Sequence, residues 1–150
     1  MACTFEVFEI AERIEEVSAA IYGALARRFE EDADARALFV QLEAEELQHV
    51  NRIRLLAATY RHDSKLLDRV NGGAELAESL AEAERSLEEV QSGGWGARLA
   101  DVLGRLARLE DRLARAHANL LALNGNGQLR HFFEQLARMD DAHVQLLIRS

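Results

Sequence analysis

Apolar residues recur at alternating steps of three and four along most of the chain, the period that lays one apolar stripe along an α-helix. One such stripe runs from about Phe5 to Phe29. The polar break EEDADA follows it and offers Asp32 or Asp34 as the N-cap of a second helix, which the pattern carries to about Tyr60. Between RHDSKLLDRVNGG and the glycine-rich SGGWG lies an acidic, moderately amphipathic stretch from Ala74 to Gln91. A further long helix is expected from about Ala97 to Leu123, ending at NGNG, where Gly125 suits a C-terminal cap. The last helix spans Gln128 to Ile148. The pattern reads as all-α, a single domain over residues 1–150. Two antiparallel helical hairpins, at about 5–60 and 97–149, are joined by a long crossover over 61–96 that contains an extra helix, which makes a four-helix bundle.

Composition supports this reading and narrows the chemistry. The chain has 150 residues, enough for one hydrophobic core. It has no proline and only nine glycines, with long runs of strong helix formers. A formal charge of -8 opposes nucleic-acid binding through phosphates and binding to an anionic membrane. The first residues carry no basic segment followed by an apolar run, and no stretch of about eighteen apolar residues occurs, so a soluble, cytoplasmic protein is expected. Cys3 is the only cysteine. It can close no internal disulfide and build no cysteine-ligated zinc or rubredoxin-type iron site, so any metal must use carboxylates and imidazoles.

The stripes are interrupted at one level. The first passes through Phe8, Ala11, Glu15, Ser18, Tyr22 and Leu25, and the second through Phe39, Leu42, Glu46, His49 and Ile53. The third passes through Leu106, Glu110, Leu113, His117 and Leu120, and the fourth through Phe133, Leu136, Asp140, His143 and Leu147. Each is apolar except near its middle, where it contributes one carboxylate; the second and fourth add a histidine three residues later, on the same helical face. Four carboxylates directed into a bundle core are too costly to leave uncompensated. Two divalent cations would balance them, and four carboxylates with two imidazoles make a workable ligand set for hard or borderline metals.

The hairpins also repeat each other. FVQLEAEELQHV, from Phe39 to Val50, aligns with FEQLARMDDAHV, from Phe133 to Val144, with Phe, Gln, Leu, an acid, His and Val at the same offsets. A lone Glu-x-x-His is a weak signal, but its duplication within two matching hairpins is a strong one. At these residues the chain resembles the ferritin-like superfamily, in particular rubrerythrin-like and bacterioferritin-like di-iron bundles. The motifs are Glu15 with Tyr22, Glu46-x-x-His49, Glu110 and Asp140-x-x-His143. The resemblance implies Glu15, Glu46, His49, Glu110, Asp140 and His143 as ligands of two iron ions, with Glu46 and Asp140 as the bridging carboxylates. Manganese and zinc accept the same ligands. Three departures stand out: Asp140 replaces the usual Glu, His117 stands where Tyr is common, and Leu113 takes the place of an extra glutamate found in rubrerythrins.

Other residues carry less. Tyr22 reads either as an outer-sphere residue beside the metals or as a core aromatic with its hydroxyl bonded. His117 lies two turns from Glu110, too far along the axis to join the same metal pair, and reads as supporting or core. His62 and His131 read as surface residues, and Trp95 as a pin for the crossover. A second apolar line on the first helix (Ile10, Ile14, Val17, Ile21) and another on the third long helix (Val102, Leu109, Ala116, Leu123) need cover, one from the crossover and the other from a second subunit, hence a homodimer. The function expected from the resemblance is di-iron oxidoreductase chemistry with dioxygen or hydrogen peroxide and an electron-donor protein. An iron-storage or iron-delivery subunit and a structural bundle without redox activity are the alternatives.

Overall fold

The computed structural model describes residues 2–59, 69–123 and 127–150. Five helices dominate: α1 (Thr4–Arg28), α2 (Ala33–Thr59), α3 (Gly73–Gln91), α4 (Leu99–Leu123) and α5 (Gly127–Arg149). The only strands among the described residues are β1 (Ala2–Cys3) and β2 (Arg69–Val70), which pair antiparallel with Ala2 opposite Val70 and Cys3 opposite Arg69. This short ladder was not legible in the periodicity, because two residues are too few to show a pattern. The fold is otherwise all-helical. The expectations for Tyr60, His62 and Gly125 fall outside the described residues, as does the side chain of His131.

Local chemistry explains the first hairpin. Asp32 caps α2: its Oδ1 accepts the Ala35 N–H at 3.1 Å, while its carbonyl accepts the Arg36 N–H at 2.9 Å. The break between α1 and α2 is therefore only a few residues long, and the two helices pack closely along their length, as do α4 and α5. Contacts between the hairpins run mainly through side chains, which leaves room between them for a layer of polar groups.

The crossover helix is part of the core. Leu76, Ala83 and Val90 of α3, spaced seven residues apart, are buried in one cluster with Ile14, Val17 and Ile21 of α1 and Val102, Leu109 and Ala116 of α4. Most of the second apolar lines of both long helices, Ile14, Val17 and Ile21 on α1 and Val102, Leu109 and Ala116 on α4, are thus covered by α3, whereas Leu123 at the end of the α4 line is exposed. No helix among the described residues is long and apolar enough to cross a membrane.

Candidate metal centre

The core becomes polar at one level. Glu15 and Ser18 on α1, Glu46 and His49 on α2, Glu110 and His117 on α4, and Asp140 and His143 on α5 are all buried, none more than 5% exposed. The heptad spacing that buries Phe8, Leu42, Leu106 and Leu136 carries these residues inward as well. Four helices therefore direct acids and imidazoles into one region.

Two sets of three converge, and they share a residue. Glu15, Glu46 and His49 each offer a ligand atom within 4.8 Å of the others, and so do Glu46, Glu110 and His143. Glu46 Oε1 stands at the junction, 3.7 Å from His49 Nδ1 and 2.8 Å from His143 Nδ1. His49 Nδ1 is also 3.3 Å from Glu15 Oε2, and His143 Nδ1 is 3.7 Å from Glu110 Oε1. The two imidazoles stack with centroids 5.5 Å apart and planes inclined by 21°. Five of the six sequence-derived ligand candidates thus meet, with Glu46 common to both sets.

The structure does not bring Asp140 into either set. Its Oδ2 forms a close ion pair with His117 Nδ1, both side chains being buried. An aspartate is one methylene shorter than the glutamate expected here, and a histidine within reach on the neighbouring helix captures it. Tyr22, also buried, donates its hydroxyl to Glu110 Oε1 across the two hairpins. One supporting residue had no signal in the stripes. Glu45, next to Glu46 and only partly buried, has Oε2 2.9 Å from His143 Nε2. A carboxylate on the far nitrogen orients the ring and directs Nδ1 inward; a carboxylate beside a stripe rather than on it is easily read as a solvated charge.

Titration in this crowd is set by burial and by the neighbours. Burial and the Glu15 charge push Glu46 well above the ordinary carboxylate range. Burial alone would raise Glu15, but hydrogen bonds from Glu46 and His49 outweigh it and bring Glu15 down to about 2. Burial raises Asp140 to about 6 even though His117 opposes the shift. Burial disfavours charge on both His143 and His117, yet the surrounding carboxylates lift His143 to about 9 and His117 above its usual value. Protons therefore balance the negative charge of the cluster, and a divalent cation would displace them.

Polar atoms left without partners mark where a cation would fit. Glu46 Oε1, Glu110 Oε2 and His143 Nδ1 are buried and make no hydrogen bond, because the 2.8 Å approach of His143 to Glu46 lies off the hydrogen-bond direction. All three belong to the set formed by Glu46, Glu110 and His143, whereas Ser18 Oγ and His117 Nε2, likewise buried without a partner, lie outside both sets. Buried donors and acceptors are rarely left without either a water or an ion to satisfy them. Oxygen donors with one imidazole per set suit iron, manganese or zinc. Compared with family models, curated proteins and solved structures, the chain matches none.

Proposed function

We propose that this chain is a di-metal carboxylate bundle of the ferritin-like kind, with iron as its metal and ferrous–ferric redox chemistry as its function. The observation that carries the reading is the sharing of Glu46 by two buried sets, each containing one imidazole. Glu15 and His49 would complete one position, Glu110 and His143 the other, with Glu46 reaching both. Iron bound there supplies one-electron cycling against dioxygen or hydrogen peroxide, with electrons drawn from ferrous iron itself or from a donor protein.

The chain's own residues then have distinct tasks. Tyr22 holds Glu110 in place and puts a phenol hydroxyl beside the second position. Glu45 fixes the His143 ring. With Asp140 paired to His117, each position keeps two carboxylates, one of them the shared Glu46, and one imidazole, which would leave both open to a small oxidant. The surrounding apolar residues, Phe8, Phe39, Leu106 and Phe133 among them, are buried and keep bulk water from the cluster.

Metal analysis after anaerobic ferrous loading tests the reading. About two irons per chain, lost in Glu46→Ala/His49→Ala and oxidised rapidly by peroxide or air, are expected. A folded wild type that takes up no more metal than this variant returns the chain to a structural bundle. Assembly of the loaded chain into a large shell would instead favour iron storage.

A further inference from the structure

The groove between α3 and α4 gathers the opposite charge. Arg85 on α3 and Arg105, Arg108 and Arg112 on α4 line a cavity of about 280 Å³ together with Trp95. Two carboxylates are present, and each already has a partner: Glu82 pairs with Arg112, and Glu89 lies 3.2 Å from Arg105. Arg85 and Arg108 have no carboxylate partner among the described residues. Four guanidinium groups against two carboxylates leave a local positive excess in a chain of formal charge -8.

The cavity is also built. Trp95 has a φ of 79°, the only positive value at a non-glycine residue among the described residues and one a bulky side chain rarely adopts. Arg28 of α1 holds the turn from beneath, donating to the Gly94 carbonyl at 2.7 Å and the Val90 carbonyl at 2.5 Å. The indole N–H donates to Glu89 Oε2 at 2.8 Å, and the Arg105 guanidinium lies 5.7 Å from the ring centroid. Strained backbone kept by several independent contacts is commonest at ligand sites, and here it holds an aromatic ring against a cluster of arginines.

We propose that this cavity binds a small oxyanion, a phosphate or a carboxylate, gripped by Arg85 and Arg108 and walled by Trp95. The guanidinium fork matches the paired oxygens of either group, and its hydrogen bonds to them are charge-assisted. Arg108 and Arg112 stand two residues to either side of Glu110, on the outer face of α4, so a bound anion lies one helix diameter, on the order of 10 Å, from the carboxylate cluster. The proposal does not depend on the metal reading, since none of these side chains belongs to that cluster.

Trp95 is the only tryptophan, so its fluorescence reports on this cavity alone. The full chain is titrated with inorganic phosphate and, separately, with succinate, with sodium chloride at matched ionic strength as reference. A saturable change with half-saturation at or below about 1 mM is expected for phosphate, for succinate or for both, and the stronger of the two names the source. Arg85→Ala/Arg108→Ala should raise that half-saturation at least tenfold. Arg36→Ala/Arg138→Ala, which removes the same charge elsewhere, should leave it within twofold. Far-ultraviolet circular dichroism checks that both variants remain folded, and a phosphate-dependent rise in thermal midpoint provides a second readout. Changes no larger than those produced by chloride, or equal affinity in the Arg85/Arg108 variant and the wild type, would overturn the proposal.

Discussion

His117 Nδ1 and Asp140 Oδ2 form a buried ion pair between α4 and α5, and this pair, rather than a fourth metal carboxylate, is what the fourth acid contributes. Removing one partner of such a pair leaves an uncompensated charge, at a cost of about 3–5 kcal/mol. His117→Leu is therefore expected to lower the thermal midpoint by roughly 10 °C. His117→Leu/Asp140→Leu should recover most of that loss, because an apolar pair needs no compensation. Calorimetry of the two variants checks this, and a double variant no more stable than the single one would show that the pair is not the reason.

Glu46 sits in both sets of residues that could hold a metal ion, whereas Glu15 and Glu110 sit in one each. Glu46→Ala is expected to abolish binding of both metals. Glu15→Ala and Glu110→Ala should each leave about one metal per chain, because each leaves the opposite set intact. Elemental analysis after equal loading separates these outcomes, and full occupancy in Glu46→Ala would contradict a shared carboxylate.

Tyr22 donates to Glu110 from a fully buried position. Tyr22→Phe removes the donor and leaves a buried acceptor unsatisfied, a loss of about 1–3 kcal/mol in the metal-free chain. A cation at Glu110 would replace the missing donor, so the loss should shrink in the metal-loaded chain. Denaturant melts with and without metal measure the difference, and equal losses in both states would argue against metal at Glu110.

The metal-free chain should be most stable in mildly acidic buffer. Glu46 lies well above its ordinary value of 4.5, and Asp140 rises from 3.8 to about 6, so both hold protons in the folded state that the unfolded chain releases; stability falls as pH rises through those windows. His143, raised from 6.5 to about 9, contributes stability that is complete below 6.5 and lost as pH passes 9. Glu15, lowered from 4.5 to about 2, contributes stability above 4.5 that is lost on acidification towards 2. The thermal midpoint is expected to peak at about pH 4 and decline towards pH 9. Saturating divalent metal should reverse the decline, because its ligands bind deprotonated. A metal-free midpoint that rises from pH 5 to pH 9 would contradict this assignment.

Leu76 of α3 is fully buried between α1 and α4. Leu76→Ala is expected to destabilise the chain by about 2–5 kcal/mol, as for any core leucine. A loss below about 0.5 kcal/mol, the usual size for a surface position, would show α3 to be an accessory connection.

Much of this protein is local in origin and could be read along the chain. Helix periodicity and capping depend on neighbours within a turn or two, so the long helices, an aspartate cap at Asp32 or Asp34 and the inward carboxylates were legible from spacing alone, and the structure decides for Asp32. The duplicated acid-x-x-His motif placed Glu46 with His49 and Asp140 with His143 on single faces for the same reason. Which acids meet is a different matter. It depends on side-chain length and on the relative rotation of helices distant in sequence, and so Asp140 goes to His117 while Glu46 reaches both histidines. The cover that α3 gives to a second helix besides the one expected of the crossover, the support of His143 by Glu45, and the arginine cavity beside Trp95 are likewise products of packing. Each joins residues whose spacing along the chain carries no shared period, and only the folded chain brings them within a few ångströms.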